Sequence, residues 1–273
     1  MKKIKKLISL GGDNRQNYML RRFKEFGYDA ESSDTVPENI NDFDAVILPL
    51  PASSDSVHIK GTNIKFDDLC DCLLPQKIIF TGKIDETTKA EFFKKGISVY
   101  DYYAREEFAQ KNAVPTAQGV LTFVMNHLPK TVCSLKVTVI GYGKSGKAIC
   151  KMFSALGAEV TSCSRKYLSV ATAQAHCLRS FLLKDAAKAA EYSDIVINTV
   201  PATILGKEFI DKVPKEAMLI DISSPPYGFD LSYAESAGRK VCILPSLPGH
   251  YVPATAGSII ADTILNILEE AGL

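Results

Sequence analysis

No stretch of this chain is apolar for long enough to leave water. Its basic start, Met1-Lys-Lys-Ile-Lys-Lys6, is followed only by Leu7-Ile-Ser-Leu10 before Gly11-Gly12-Asp13-Asn14-Arg15 intervenes. That run is too short for a signal peptide or a membrane span. Excess charge is also missing: 32 basic against 31 acidic residues leave a net charge of +1. Such a balance argues against nucleic acid or an anionic membrane as partner. There is no C-x-x-C pair among the seven scattered cysteines, and Cys70-x-Cys72 lacks companion ligands. It reads as helix core and surface rather than a metal site, and free thiols suit a reducing cytoplasm. No nucleophile elbow, P-loop or zinc pattern supports a hydrolase, a kinase or a metalloenzyme, so no metal is expected. Internal repeats and low-complexity tracts are absent as well.

What is present points to a nucleotide. A β-branched run, Val137-Thr-Val-Ile140, ends in Gly141-Tyr142-Gly143-Lys144-Ser145-Gly146, and a helical pattern follows at once. The glycines of G-x-G-x-x-G serve, in turn, a tight turn, close approach to a pyrophosphate, and close packing of helix on strand. The helix start offers free N–H groups and the positive end of its dipole. A second strand, Glu159-Val-Thr-Ser-Cys163, follows at βαβ spacing.

An NAD site ordinarily has an acidic residue about 20 residues past the glycines. Here the window reads Ser162-Cys-Ser164-Arg165-Lys166, with no carboxylate. A hydroxyl beside a guanidinium and an ammonium suits a 2′-phosphate, so NADP(H) is expected over NAD(H). The alternative is an ordinary solvated turn.

At 273 residues, 46% of them hydrophobic, the chain can fill two cores. The expected organisation is an N-terminal flavodoxin-like parallel α/β domain over 1–127, a Rossmann domain over 128–250, and a C-terminal helix over 251–273 that returns to the first domain. Strands are expected at Ile4–Leu10, Ala45–Leu50, Lys77–Phe80 and Ser98–Tyr100, alternating with helices at Arg15–Phe26, Phe66–Leu73 and Asp85–Lys95. Tyr103–Asn112 and Thr116–Leu128 read as two helices interrupted by Pro115, the second being the interdomain connector. Beyond the glycine turn come Ser145–Leu156, strands at Ile195–Asn198, Met218–Ile222 and Val241–Leu244, and a last helix over Thr255–Glu270.

Several residues are candidates for chemistry. Arg15, opening a helix after the first strand, can grip a carboxylate with two parallel bonds, or else form a surface salt bridge. Ser53 and Ser54, in a Pro-rich loop, can donate to a carboxylate. Asn112, Thr116 and Gln118 lie near the expected connector start, where Thr116 is a substrate contact or a simple cap. Thr255 opens the last helix. His250 sits in a Pro- and Gly-rich loop and titrates near neutrality, which suits a proton acceptor. His58, His127 and His176 have no partner at ligand or triad spacing and read as structural. Asn198-Thr199-Val200-Pro201 leaves a Rossmann strand and borders the expected nicotinamide ribose. Asp221 ends the next strand, as a cofactor contact or a cap of local backbone.

Taken in order, Gly11-Gly-Asp-Asn-Arg-Gln16, Ile47-Leu-Pro-Leu-Pro51, Asn112-Ala-Val-Pro-Thr-Ala117, the glycine turn, Asn198-Thr-Val-Pro201, Leu247-Pro-Gly249 and Thr255-Ala-Gly257 resemble the dipicolinate synthase family of spore-forming bacteria, in its dehydrogenase (A-type) component. The likeness runs from Lys3 to the last helix. It implies oxidation of dihydrodipicolinate to dipicolinate during sporulation in the mother cell, with a flavoprotein-like B subunit, and a homo-oligomer. The family pattern has Glu where Gln118 stands, Arg or Lys at Pro225, and Lys at Ala254, which leaves three readings of the likeness: a divergent member, an altered-substrate relative, or a catalytically weak homologue. Two alternatives stay open: a nucleotide-holding regulatory or scaffold subunit without hydride transfer, and another small NADP-dependent dehydrogenase.

Overall fold

A computed structural model describes residues 4–176 and 178–273. Met1 to Lys3, part of the basic start and of the resemblance, and Cys177 lie outside the described residues. The chain divides into two compact units, Met1–Asn112 with Val252–Leu273, and Ala113–Tyr251. The division falls inside a helix, well before the boundary expected after residue 127. Among the described residues no helix is long and apolar enough to cross a membrane.

The first unit runs β1 (Lys6–Leu10), α1 (Asn14–Glu25), β2 (Asp29–Ser33), β3 (Ala45–Ile47), α2 (Phe66–Cys72), β4 (Ile78–Thr81), α3 (Glu86–Lys94) and β5 (Ser98–Asp101). The strands pair in parallel in the order β2-β1-β3-β4-β5, the flavodoxin-like order. Alternation along β1 and β3 splits the apolar residues between two cores: Leu7, Ala45 and Ile47 face one, Ile8, Val46 and Leu48 the other. Strand β2 escaped the sequence reading because DAESS carries a single buried side chain, Ala30. As an edge strand it needs only its backbone to pair.

Helix α4 (Glu106–His127) runs through both units, and Pro115 lies inside it. The two helices expected on either side of Pro115 are therefore one. A mid-helix proline costs about 3 kcal/mol through its missing N–H and its clash. The buried face of Ala113, Ala117, Val120 and Val124 outweighs that local penalty.

The second unit continues with β6 (Lys136–Ile140), α5 (Lys144–Ala155), β7 (Glu159–Ser164), α6 (Tyr167–Ala175), β8 (Arg179–Leu182), α7 (Ala186–Ala189), β9 (Ile195–Asn198), α8 (Lys207–Lys212), β10 (Met218–Asp221), α9 (Leu231–Ser236), β11 (Val241–Ile243) and α10 (Leu247–Tyr251). Its parallel sheet has the order β11-β10-β9-β6-β7-β8, the doubly wound Rossmann arrangement.

Helix α11 (Pro253–Ala271) returns to the first unit, as expected. Ile259, Ile260, Ile264, Ile267 and Leu268 are buried there, each worth about 1.5–3 kcal/mol of transfer free energy. Gly257 sets how closely it crosses α1: a Cβ would lie 2.9 Å from the backbone nitrogen of Met19 and would strike the carbonyl of Arg15.

Candidate cofactor and substrate sites

In open α/β sheets ligands lie beyond the carboxyl ends of strands, where the strand order reverses. The second unit reverses between β6 and β9, which places the glycine turn beside Thr199. Gly141 has φ +100°, and a Cβ there would run into the Thr199 hydroxyl. That hydroxyl donates to the Ile140 carbonyl at 2.9 Å, closing the gap between the two strands. A Cβ on Gly146 would strike the Gly141 carbonyl, whereas one on Gly143 meets nothing within 4 Å. Gly143 is the N-cap of α5 and carries no side-chain cap. The turn thus leaves a space at a helix N-terminus suited to a pyrophosphate. Lys144 and Ser145 belong to the first turn of α5, whereas the Tyr142 ring packs into the core and its hydroxyl lies 3.2 Å from His176 Nδ1. His176 therefore has a partner that sequence spacing did not reveal.

At the end of β7, Ser164 is buried, and among the described residues its hydroxyl has no hydrogen-bond partner. An orphaned buried hydroxyl is costly unless a ligand completes it. Arg165 and Lys166 beside it are exposed. Arg165 lines a cavity of about 550 Å³ with Tyr167, Leu182, Leu183, Lys184 and Ile204. Lys184, in the turn directly after β8, and Tyr167 have no motif in the sequence that marks them. Strand β8 itself went unread because it is a partly exposed edge.

Asn198 and Asp221, expected near the cofactor, are fully buried. Asn198 donates to the Val200 carbonyl at 2.9 Å and to Asp221 at 3.0 Å. Asp221 accepts from the Ser223 and Gly228 backbones and from the Ser223 hydroxyl. Of the two sequence readings of Asp221, the local cap is the one observed. Of the three residues after Asn198, Val200 is held by this network and Thr199 by the Ile140 carbonyl, while Pro201 is exposed.

The first unit reverses between β1 and β3. Asp13 caps α1 and accepts from the Arg15 backbone, while Gln16 closes the capping box on the Asp13 N–H at 2.7 Å. Arg15 is 4% exposed while Asp13 stays open to solvent on one side, so the surface salt bridge expected as one reading is a half-buried ion pair. Its Nε and Nη2 donate to the two Asp13 carboxylate oxygens at 2.8 and 2.7 Å, and Nη2 also donates to the Leu50 carbonyl. Burial alone would raise the Asp13 pKa, but the bonds and charge of Arg15 hold it below its ordinary value.

Ser53 is occupied locally, donating to Asp55 and accepting from the Asp55 and Ser56 backbones, and Ser54 is exposed. His58 Nδ1 lies 2.8 Å from Asp55 Oδ2, a partner within the same loop. Asn112, Thr116 and Gln118 lie in the interior of α4, so neither a helix-start anion site nor a cap by Thr116 exists there. Gln118 and Pro225 are exposed in the second unit, and Thr255 and Ala254 are exposed in the first turn of α11. His250 is exposed in α10, edge-on to Tyr251 at 4.6 Å between ring centres.

Residues 94–224 match the model of the D-isomer specific 2-hydroxyacid dehydrogenase NAD binding domain. The A component of dipicolinate synthase from Bacillus subtilis (strain 168) is 28% identical, over 97% of this chain and 96% of that protein. Two solved structures are similar throughout. The corresponding protein from Bacillus halodurans has a TM-score of 0.88 at 25% identity, covering 98% of this chain and 99% of its own. That of Bacillus subtilis has 0.85 at 26% identity, covering 100% and 98%.

Proposed function

We propose, for a chain that is a relative of the A component of dipicolinate synthase and an NAD(P)-dependent oxidoreductase, that it oxidises dihydrodipicolinate to dipicolinate using NADP. The observation that carries the cofactor reading is the orphaned Ser164 hydroxyl beside Arg165. The residues fit the nucleotide: backbone N–H groups of Lys144 and Ser145 hold the pyrophosphate beyond Gly143, and Ser164, Arg165 and Lys166 hold the 2′-phosphate, with Lys184 as a further cation. Tyr167, Leu182 and Ile204 supply apolar surface for an adenine. Thr199, Val200 and Pro201 border the nicotinamide ribose.

Bound NADP supplies the hydride acceptor. The substrate loses a hydride and a proton and becomes an aromatic pyridine, so the driving force lies in the product. The protein must align a flat dianion and exclude water. His250 is the proposed acceptor of the ring proton. The chain acts with a flavoprotein-like B subunit, and forms a homo-oligomer, as the resemblance implies.

The test is a coupled assay. The chain and its B partner are supplied with the product of dihydrodipicolinate synthase and NADP, and dipicolinate is followed by terbium luminescence. No product with any nicotinamide, while a relative from the same family turns over, overturns the reading. Tight cofactor binding without turnover would instead mark a nucleotide-holding subunit. Recovery of turnover by Gln118→Glu with Ala254→Lys would trace that loss to the departures from the family pattern.

A further inference from the structure

We infer that Lys60 of the first unit forms a subsite for a carboxylate of the substrate. This rests on the proposed substrate class, a planar dicarboxylate. Arg15 cannot readily serve that purpose itself. Two of its donor nitrogens are committed to Asp13, one of them also to the Leu50 carbonyl, and the residue is buried. Asp13 is committed in turn, since both its oxygens accept from Arg15.

Lys60 is delivered to this pair by its backbone. Its N–H donates to the Ala52 carbonyl at 2.9 Å, and its own carbonyl accepts from Gly12 at 2.8 Å. The next residue, Gly61, lies so close to the β1–α1 turn that a Cβ would sit 2.6 Å from the Gly12 carbonyl. The lysine is therefore stitched to the carboxyl ends of β1 and β3, where the strand order of its sheet reverses.

Its charge is not balanced there. Among the described residues no carboxylate lies within 4.0 Å of its ammonium. Asp13, the carboxylate whose charge acts on it, already holds Arg15. Burial, and then repulsion from Arg15, lower the Lys60 pKa, while attraction to Asp13 is a smaller, opposing effect. An incoming carboxylate relieves both penalties, and a half-buried setting strengthens the attraction relative to open water.

The test is calorimetric titration of pyridine-2,6-dicarboxylate into the NADP-loaded full chain, as wild type, Lys60→Met and Lys60→Arg. Lys60→Met should weaken binding at least tenfold, with NADP affinity and the melting midpoint unchanged, and Lys60→Arg should recover part of the loss. A purely structural lysine would instead lower the melting midpoint and leave ligand affinity alone. Wild-type affinity in Lys60→Met overturns the inference, whatever the outcome of the turnover assay. Failure of wild type to bind this or any other aromatic dicarboxylate also overturns it. Lys60-dependent binding of benzene-1,2-dicarboxylate alone would uphold the subsite while removing dihydrodipicolinate as its substrate.

Discussion

Asn198 and Asp221 stand opposite each other on the parallel strands β9 and β10, and their side chains bond at 3.0 Å with neither exposed to solvent. The carboxylate also holds the Ser223 and Gly228 N–H groups, so one side chain secures the turn after β10. Gly228 approaches Asn198 so closely that any Cβ would collide with its amide. Replacing Asp221 by Ala strands these buried donors, each costing about 1–3 kcal/mol when unpaired. Asp221→Ala should lower unfolding free energy by about 3 kcal/mol in urea titrations, with the loss appearing in the absence of any cofactor.

Gly143 and Gly146 should respond oppositely to one added methyl group. Gly143→Ala has open space for its Cβ, so its melting midpoint should stay at the wild-type value. The methyl group would occupy the room proposed for the pyrophosphate, and NADP(H) affinity should fall at least tenfold. Gly146→Ala meets the Gly141 carbonyl and should destabilise by about 1–3 kcal/mol, as overpacking does. Differential scanning calorimetry with cofactor titration separates the two.

The Ser164-Arg165-Lys166 turn should give at least a tenfold preference for NADP(H). A charge-assisted phosphate contact is worth about 1.5–3 kcal/mol, and tenfold needs about 1.4 kcal/mol. Arg165→Ala should remove most of the preference and leave NAD(H) affinity nearly unchanged. Lys184→Ala should reduce it further, because Lys184 lines the same cavity. Equal affinity of the wild type for both cofactors, measured by calorimetry, would leave the turn as a solvated loop.

Cys150 and Cys163 should be silent to alkylating reagents at neutral pH. Burial, aided by Cys163 beside the first and Asp185 near the second, pushes both thiols from an ordinary 9.0 to about 12. The thiolate is the reactive form. Exposed Cys72 and Cys133 should label first, and the buried pair only after unfolding. The same shift has a sign for stability: from about pH 9 to 12 the unfolded chain releases protons that the folded chain retains. Stability should be insensitive to these thiols below about pH 8 and fall above about pH 9, by about 1.4 kcal/mol per pH unit for each. Replacing both by Ser or Ala and repeating urea titrations at about pH 8 and about pH 10 measures that slope.

The sequence alone determined the central strands, the glycine turn and the two-sheet α/β class, because buried parallel strands need continuous apolar runs and a tight phosphate turn needs glycine. The edge strands β2 and β8 were illegible, because an edge can pair through its backbone while its side chains remain polar. The continuity of α4 through Pro115 was decided by burial, which competes with local propensity and cannot be read in a short window. Tertiary structure likewise buried Arg15 against a partly exposed Asp13, closed Asn198 on Asp221, and brought Lys60 and Lys184 into view. Those relationships join residues distant in the chain, such as Arg15 with Leu50 and Asn198 with Asp221. Only the register of parallel strands and the packing of their connecting loops set such distances.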